Sequence, residues 1–303
     1  MDKIKDIELR AGASASGLVK QLESTGFQAT HLAEAVEIIR EMKRKQHTVF
    51  LSFTANMVAS GLRGVISQMC KEKFVDAVIT TAGAIDHDIM KSFNPYYKGS
   101  FDADDVKLHR KGINRIGNIF VPNSHYELLE KKFQPMLKEL HAENKTVSPS
   151  GLNKFIGGKL NESSFLYWCA KNNIPVFCPG ITDGAIGLQM YFFKQDFPDF
   201  SVDVTKDMKE FSELVLNAEK TSGIILGGGI SKHHVIGASI VRGGLDLAVY
   251  VSTASEYDGS LSGARTHEAK SWGKIKEKGK SVTVVGDATI LFPLIIAAIK
   301  EEK

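Results

Sequence analysis

Seven short runs of apolar, largely β-branched residues punctuate the chain, and this pattern predicts strands. Most of the runs are nearly continuous rather than alternating, which is typical of strands buried on both faces of a parallel sheet. The runs are His47–Phe53, Val75–Thr81, Gly117–Pro122, Ile174–Pro179, Ser222–Leu226, Leu245–Thr253 and Ser281–Gly286.

Segments of helical period separate these runs, and they include Leu32–Met42, Tyr126–Leu140 and Met208–Leu216. Strand alternating with helix predicts an α/β fold that is doubly wound, with a mostly parallel sheet and helices on both faces. No repeat, low-complexity tract or Pro/Gly/Ser-rich linker divides the sequence. We therefore predict a single domain over residues 1–303, with a short helical N-terminal extension over about residues 1–29.

Composition narrows the classes of protein that the chain can belong to. A balance of 38 Lys+Arg against 35 Asp+Glu argues against a nucleic-acid or membrane surface. The longest apolar run, Ile290–Ile299, holds a proline and is half the length of a membrane span of about twenty residues. No signal peptide is visible, and the three cysteines form no C-x-x-C pair. We expect a cytoplasmic protein without a disulfide framework or a metal site.

Small residues followed by a hydroxyl or a carboxylate end nearly every predicted strand. Ligands of open parallel sheets bind beyond the carboxyl ends of the strands, where glycines permit close approach and helix N-termini attract anions. Asp183 and Asp287 could accept hydrogen bonds from ribose hydroxyls, or they could simply cap helices. Each turn alone is explained by tight βα connections. Six of them at one sheet edge favour a nucleotide pocket.

Residues 227–288 hold the densest set of reactive side chains. Lys274 could form a Schiff base if burial beside an aromatic wall such as Trp272 favoured its neutral form, and a histidine of the pair His233-His234 could move protons. The alternatives are a solvated lysine in a lysine-rich run, a core tryptophan and a histidine pair at a helix start.

Helical geometry constrains this interpretation. Glu268 and Trp272 are four residues apart and share a helical face, whereas Lys274 falls about 200° from Trp272. For the three side chains to meet one ligand, the helix must end or distort at Gly273, or the neighbours must come from another subunit.

From about residue 30 onward the chain resembles the deoxyhypusine synthase family. The likeness is strongest in the ordered residues Glu256-Tyr257-Asp258-Gly259-Ser260, Ser262-Gly263-Ala264-Arg265, Glu268-Ala269 and Ser271-Trp272-Gly273-Lys274-Ile275. It extends to Thr54 and Asn56, Thr80-Thr81-Ala82-Gly83, residues 112–118, residues 175–179, Thr182-Asp183-Gly184, Lys232-His233-His234 and Asp287.

The resemblance implies an NAD-dependent transfer of a 4-aminobutyl group from spermidine. In that reaction NAD oxidises the amine to an imine, 1,3-diaminopropane leaves, and an enzyme lysine carries the butylamine to a lysine of the translation factor 5A precursor. The same NADH then reduces the product. The family also implies a homotetramer whose sites lie between paired subunits.

Residue roles follow from the same resemblance. Lys274 would be the covalent lysine, His233 the proton-transfer residue, and Glu268 and Trp272 the polyamine contacts. The residues expected to bind NAD are Thr54, Asn56, Thr81, Ala82, Gly83, Asp183, Gly228, Gly229, Thr253, Ala254, Asp258, Ser262 and Asp287.

The chain departs from the family pattern at five positions. Leu188 and Leu261 stand where the family has polyamine-binding aspartates, and Gly237 stands where it has an asparagine. On the cofactor side, His87 replaces a glutamate and Ala55 replaces a serine. Because burying an unpaired cation costs several kcal/mol, the loss of two aspartates predicts an altered amine site.

Three hypotheses remain open. The first is a deoxyhypusine synthase with altered polyamine contacts in which Asp86 or Asp88 supplies a substitute anion. The second is a transferase whose acceptor is a small amine, as in homospermidine formation. The third is a non-catalytic NAD-binding subunit that scaffolds a true synthase, and the retention of Lys274, His233 and Glu268 argues against it.

Overall fold

A computed structural model describes residues 2–301 of the protein. Its helices are α1 Ala15–Leu22, α2 Phe27–Arg44, α3 Ala55–Ala59, α4 Arg63–Lys71, α5 Ala82–Phe93, α6 Asp105–Arg110, α7 Asn123–Glu143, α8 Pro149–Gly158, α9 Phe165–Asn172, α10 Ala185–Asp196, α11 Val204–Asn217, α12 Gly229–Ala238, a 3-10 helix Ser239–Arg242, α13 Thr266–Ser271 and α14 Ala288–Glu301. Its strands are β1 Thr48–Phe53, β2 Ala77–Ile79, β3 Tyr97–Lys98, β4 Ile113–Ile116, β5 Ile119–Pro122, β6 Thr146–Val147, β7 Val176–Phe177, β8 Ser201–Val202, β9 Thr221–Leu226, β10 Leu245–Ser252 and β11 Ile275–Val285.

The chain divides into two compact units that interleave along the sequence. The first unit comprises residues 1–53, 74–79 and 210–303, and the second comprises residues 54–73 and 80–209. The expectation of a single domain over residues 1–303 stays a prediction. Met1, Glu302 and Lys303, which that expectation includes, lie outside the described residues.

A parallel sheet forms the centre of the first unit, with its strands in the order β11, β10, β9, β1, β2. Helices α2 and α14 pack against β10, and α12 packs against β1 and β9. Residues 49–53 and 221–226 are buried throughout, as their nearly continuous apolar sequence predicts. The predicted α/β fold with a mostly parallel sheet flanked by helices is confirmed.

The second unit is built mainly from helices α3 to α10, and it carries one small antiparallel sheet. In that sheet β5 pairs with both β3 and β4. The run Gly117–Pro122 therefore does not form a buried strand of a parallel sheet as expected. Gly117 has φ of +59°, and it forms with Asn118 the two-residue turn of the β4–β5 hairpin.

Other boundaries also differ from the expected ones. Strand β11 begins at Ile275, six residues before the predicted start at Ser281. In the N-terminal extension, α1 is helical and its first turn is capped by the Ser14 hydroxyl, and α2 already begins at Phe27. All three cysteines are buried with free thiols. Among residues 2–301, no helix is long and apolar enough to cross a membrane, and no cluster of three or more His, Cys, Asp or Glu could hold a metal.

Candidate active site

The end of α13 determines where Lys274 lies. The helix stops at Ser271, Trp272 follows it, and Gly273 adopts φ of +65°, which reverses the chain at little cost for glycine. The Lys274 backbone N–H then donates to the Ala269 carbonyl at 2.9 Å. The helix therefore ends before Gly273, which is the first of the two solutions that the helical geometry allowed.

A cavity of 230 Å³ in the first unit brings together the four side chains predicted for the chemistry, and Lys274, His233, Glu268 and Trp272 all line it. Lys274 is only 9% exposed, and its Nζ lies 5.1 Å from the centroid of the Trp272 ring. The lysine is therefore not the solvated side chain that its lysine-rich run suggested. Trp272 is 66% exposed and is not a core residue.

Two further residues of the cavity were missed by the sequence reasoning. Lys232 is 1% exposed, and burial lowers its pKa to about 8, an effect that the charge of Glu268 opposes. Tyr250 is also buried, and its hydroxyl has no hydrogen-bond partner within the described chain. Lys232 could have been suspected from its place beside His233, whereas Tyr250 reads as an ordinary core residue of a strand.

The structure separates the two histidines of the pair. His234 stacks on Phe211 with ring centroids 5.3 Å apart, and burial lowers its pKa. His233 is exposed and lines the cavity. Of the two rings, His233 is the one that can exchange a proton with a ligand of the cavity.

The predicted NAD residues of the first unit lie at the carboxyl ends of adjacent strands. The Gly227 N–H donates to the Val251 carbonyl at 2.8 Å, and the Gly286 N–H donates to the Ser252 carbonyl at 3.1 Å. These bonds bring the turns after β9, β10 and β11 into one row. The row contains Gly228, Gly229, Thr253, Ala254 and Asp287.

Two other predicted NAD residues of this unit, Asp258 and Ser262, lie in the loop of residues 255–265. A Cβ added to Gly228 would stand 2.5 Å from the Ser262 Cα, and the Gly229 N–H donates to the Ser262 Oγ at 3.0 Å. Gly229 itself has φ of +65° and open space where a side chain would project. Asp258 accepts from the Ser260 N–H at 2.7 Å, and Asp287 caps α14 by accepting from the Thr289 N–H at 2.8 Å.

The second unit gathers its own predicted NAD residues. A Cβ added to Gly83 would lie 3.0 Å from the Ala55 Cβ, and one added to Gly184 would lie 2.8 Å from the Ala82 Cβ. The turns at residues 54–56, 81–83 and 183–185 therefore meet. Within residues 2–301, the buried Thr81 hydroxyl has no partner, and no hydrogen bond is made by the exposed Asp183 carboxylate. Thr54 and Asn56 hydrogen-bond each other at 2.6 Å.

Asp86 and Asp88, expected as substitute anions, are both committed to the fold. The Asp86 carboxylate accepts from the N–H groups of Ala185 and Ile186 at 2.8 and 2.9 Å and so caps α10. Burial raises the pKa of Asp86 to about 6. Asp88 is fully buried, pairs with Arg63 at 3.3 Å and accepts from the Ser164 hydroxyl at 2.6 Å. Neither carboxylate is left free for an amine, contrary to that expectation.

His87 also differs in charge from the glutamate it replaces. Its Nδ1 lies 2.8 Å from the Tyr96 hydroxyl, and burial lowers its pKa to about 4. The ring is therefore neutral at pH 7, so the negative charge that a glutamate would bring to this position is lost.

Comparison with known proteins identifies the family of the chain. The family profile described as deoxyhypusine synthase matches residues 17–299. The chain belongs to the deoxyhypusine synthase family. Members of this family are transferases, so the protein is an enzyme.

Three relatives illustrate the match. A protein of Thermoplasma acidophilum named as a probable deoxyhypusine synthase is 45% identical over 97% of this chain and 96% of its own. The deoxyhypusine synthase of Senecio vernalis is 42% identical over 97% of this chain and 88% of its own. A solved structure assigned to deoxyhypusine synthase of Entamoeba histolytica superposes with a TM-score of 0.73 at 27% identity, covering 99% of this chain and 97% of its own.

Proposed function

We propose that Lys274 carries the aminobutyl group in the reaction of this family, the NAD-dependent transfer of a 4-aminobutyl group from spermidine to a lysine of the translation factor 5A precursor. One observation carries the proposal. Lys274 is only 9% exposed, and it lines a 230 Å³ cavity together with Glu268, His233 and Trp272. A lysine in such a cavity is placed to act as a nucleophile toward a bound carbonyl or imine.

Each residue of the cavity has a role in this proposal. The Lys274 amine attacks the carbon of the substrate imine, and the C–N bond to 1,3-diaminopropane breaks, so the imine passes to Lys274. His233 takes the proton from the attacking amine and returns one to the departing amine. The Glu268 carboxylate pairs with the distal ammonium, and the Trp272 ring attracts it by a cation–π interaction.

We also propose NAD as the cofactor, and features of both units support it. The open space beside Gly229, the unpartnered Thr81 hydroxyl and the free Asp183 carboxylate are what a ligand with phosphates and ribose hydroxyls requires. The residues proposed to hold it are those predicted from the sequence, namely Thr54, Asn56, Thr81, Ala82, Gly83, Asp183, Gly228, Gly229, Thr253, Ala254, Asp258, Ser262 and Asp287. Bound NAD supplies the oxidation of the amine and the later reduction of the product imine.

Trapping the covalent intermediate tests the proposal. The protein is incubated with NAD and spermidine, reduced with borohydride and digested with a protease. The masses of the peptides are then determined by mass spectrometry. We expect a reduced butylamine adduct on Lys274, no adduct in Lys274→Ala, and a full adduct in the control Lys270→Ala, whose lysine lies outside the cavity. An adduct on another lysine, or none in the wild type with any polyamine, would refute the role of Lys274.

The acceptor is tested separately with the same protein. Transfer to the 5A precursor and transfer to putrescine are measured in parallel after the adduct has formed. The proposal expects the protein acceptor to be used. Transfer to putrescine alone would favour the small-amine alternative, and the apolar Leu261 wall of the cavity is the feature that makes this comparison necessary.

A further inference from the structure

The loop of residues 255–265 is closed at its base and open at its tip. A Cβ added to Gly263 would lie 1.5 Å from the Ser255 carbonyl oxygen, so the two ends of the loop touch through a glycine. Arg265 and Glu256 pair across the same base at 3.4 Å. At the tip, Gly259 has φ of +72° and open space around it. The loop is thus a compact body that needs an attachment to the rest of the unit.

Two contacts attach this loop to the first turn of α12. One is the contact of Ser262 with Gly228 and Gly229, on the nucleotide edge of the sheet. The other is Lys232, whose Nζ donates to the Leu261 and Ala264 carbonyls, both at 2.7 Å. These two carbonyls flank Ser262, so both contacts hold the same short stretch of the loop.

Within residues 2–301, no carboxylate lies within hydrogen-bonding distance of the Lys232 amine. The Lys232 Nζ lies 4.6 Å from the centroid of the Tyr250 ring. The positive charge is stabilised by a cation–π interaction with this ring and by the hydrogen bonds to the two carbonyls. The side chain is 1% exposed and lines the same cavity as Lys274. An ammonium that is buried in this way costs free energy unless its donors are used, so the loop carbonyls and Lys232 depend on each other.

We propose that Lys232 is a positioning residue that couples the amine cavity to the nucleotide edge. By holding the Leu261 and Ala264 carbonyls, it fixes Leu261 as a wall of the cavity and Ser262 against Gly228 and Gly229. The inference rests on the proposed function, because it takes NAD and an amine to be the ligands of these two places. This role requires no covalent reaction or proton transfer by the Lys232 side chain.

The test compares two lysine-to-methionine variants that lose the same kind of bond. Lys232→Met keeps the aliphatic stem and removes the donors. Lys270→Met is the matched control, because Lys270 also donates to two backbone carbonyls, those of Glu277 and Gly279, at 3.0 and 2.9 Å, but does not line the cavity. Hydrogen exchange of residues 255–265 in the NAD-free protein, the Kd of NAD, and the KM for spermidine are measured for each variant.

We expect Lys232→Met to speed exchange of the loop amides at least tenfold, to weaken NAD binding at least tenfold and to raise the KM for spermidine. Lys270→Met should stay within twofold of the wild type in all three. In a double-mutant cycle with Ser262→Ala, the effects on NAD binding should be non-additive, since both changes release one loop. A general loss of stability would not produce that coupling.

Other results would overturn the proposal. Loop exchange within twofold of the wild type in Lys232→Met, or an equal change in Lys270→Met, would show that Lys232 does not position the loop. If Lys232→Met fails to fold, Ser262→Ala alone must speed loop exchange, and an unchanged rate refutes the coupling. Exchange needs neither NAD nor catalysis, so a wild-type protein that forms no adduct on Lys274 would defeat the proposed function and leave this result standing.

Discussion

The position of Lys274 is determined by the backbone conformation of Gly273, the residue before it. Gly273 takes a left-handed conformation that ends α13 and turns the chain into β11, and this turn brings Lys274 beside the Trp272 ring rather than to the opposite side of a continuing helix. A residue with a Cβ pays about 1–2 kcal/mol for the same conformation. The position of the amine thus depends on a backbone property that no charge or hydropathy pattern expresses.

Gly273→Ala tests that dependence. We expect a loss of about 1 kcal/mol in the free energy of unfolding and at least a tenfold loss of adduct on Lys274. Gly243→Ala is the control, because Gly243 also has positive φ and open space, so it should lose similar stability yet retain the adduct. Denaturant unfolding and the borohydride trap measure the two effects. A Gly273→Ala protein with full adduct would contradict the account.

Leu261 lines the cavity at a position where the family pattern has a negatively charged aspartate. Leu261→Asp should lower the KM for spermidine about fivefold, because a second carboxylate near Glu268 adds about 1 kcal/mol of attraction for a cationic amine. Leu261→Asn, of similar shape and without charge, is the control. The KM for spermidine is measured for both variants by steady-state kinetics. A KM for the aspartate variant that is no lower than that of the asparagine variant would refute the charge argument.

At the scale of elements, two lysines of the lysine-rich strand β11 form ion pairs with carboxylates of other elements. Lys276 pairs with Asp246 at 2.6 Å, and Lys280 pairs with Glu41 of α2 at 2.6 Å. The sequence places these lysines in a solvated run, because a pattern along one chain does not reveal carboxylates that arrive from another element. The same limit hid the start of β11 at Ile275.

Glu41 links α2 to β11, and its titration gives a measurable signature. Hydrogen bonds from Lys280 and Lys45 lower its pKa from 4.5 to about 2. The stabilisation is therefore complete above pH 4.5 and is lost as the pH falls toward 2. Because the Lys45 and Lys280 side chains are 49% and 63% exposed, water screens both pairs, and we expect Glu41→Gln to cost about 1 kcal/mol at pH 7.

Thermal unfolding of Glu41→Gln at pH 7 and near pH 2 measures this difference. The deficit relative to the wild type should shrink at the lower pH. Glu37→Gln is the control, since Glu37 lies on the same helix but is mostly exposed and pairs with Arg40 of that helix rather than with a lysine of β11. A deficit of equal size at both pH values would show that Glu41 does not act through its charge.

The whole molecule shows what a single sequence can and cannot supply. Continuous apolar runs such as His47–Phe53 and Ser222–Leu226 were enough to predict buried parallel strands, because that pattern reflects burial on both faces. The division into two interleaved units depends on contacts between distant segments and has no local signal. Lys274 was singled out by resemblance, whereas the burial of Tyr250 and the contact of Lys232 with the loop emerged only from the structure.

The assembly of the whole molecule is also open to test. Leu188, Tyr191 and Phe192 form an apolar stripe on α10 with 54%, 60% and 47% of their surfaces exposed, which is typical of a face that another chain covers. We expect light scattering to give four times the 33.2 kDa chain mass, and Tyr191→Glu to reduce it. Lys194→Glu, an exposed change on the same helix, should not. A wild-type mass of one chain would refute the tetramer.

The burial of all three thiols has a practical consequence. Cys70, Cys169 and Cys178 are inaccessible to a maleimide in the folded protein. A fluorophore could therefore be attached selectively through Ser260→Cys, at the solvent-facing apex of the loop, without first removing any native cysteine. The emission of such a labelled protein would follow ligand arrival and departure at this loop in real time.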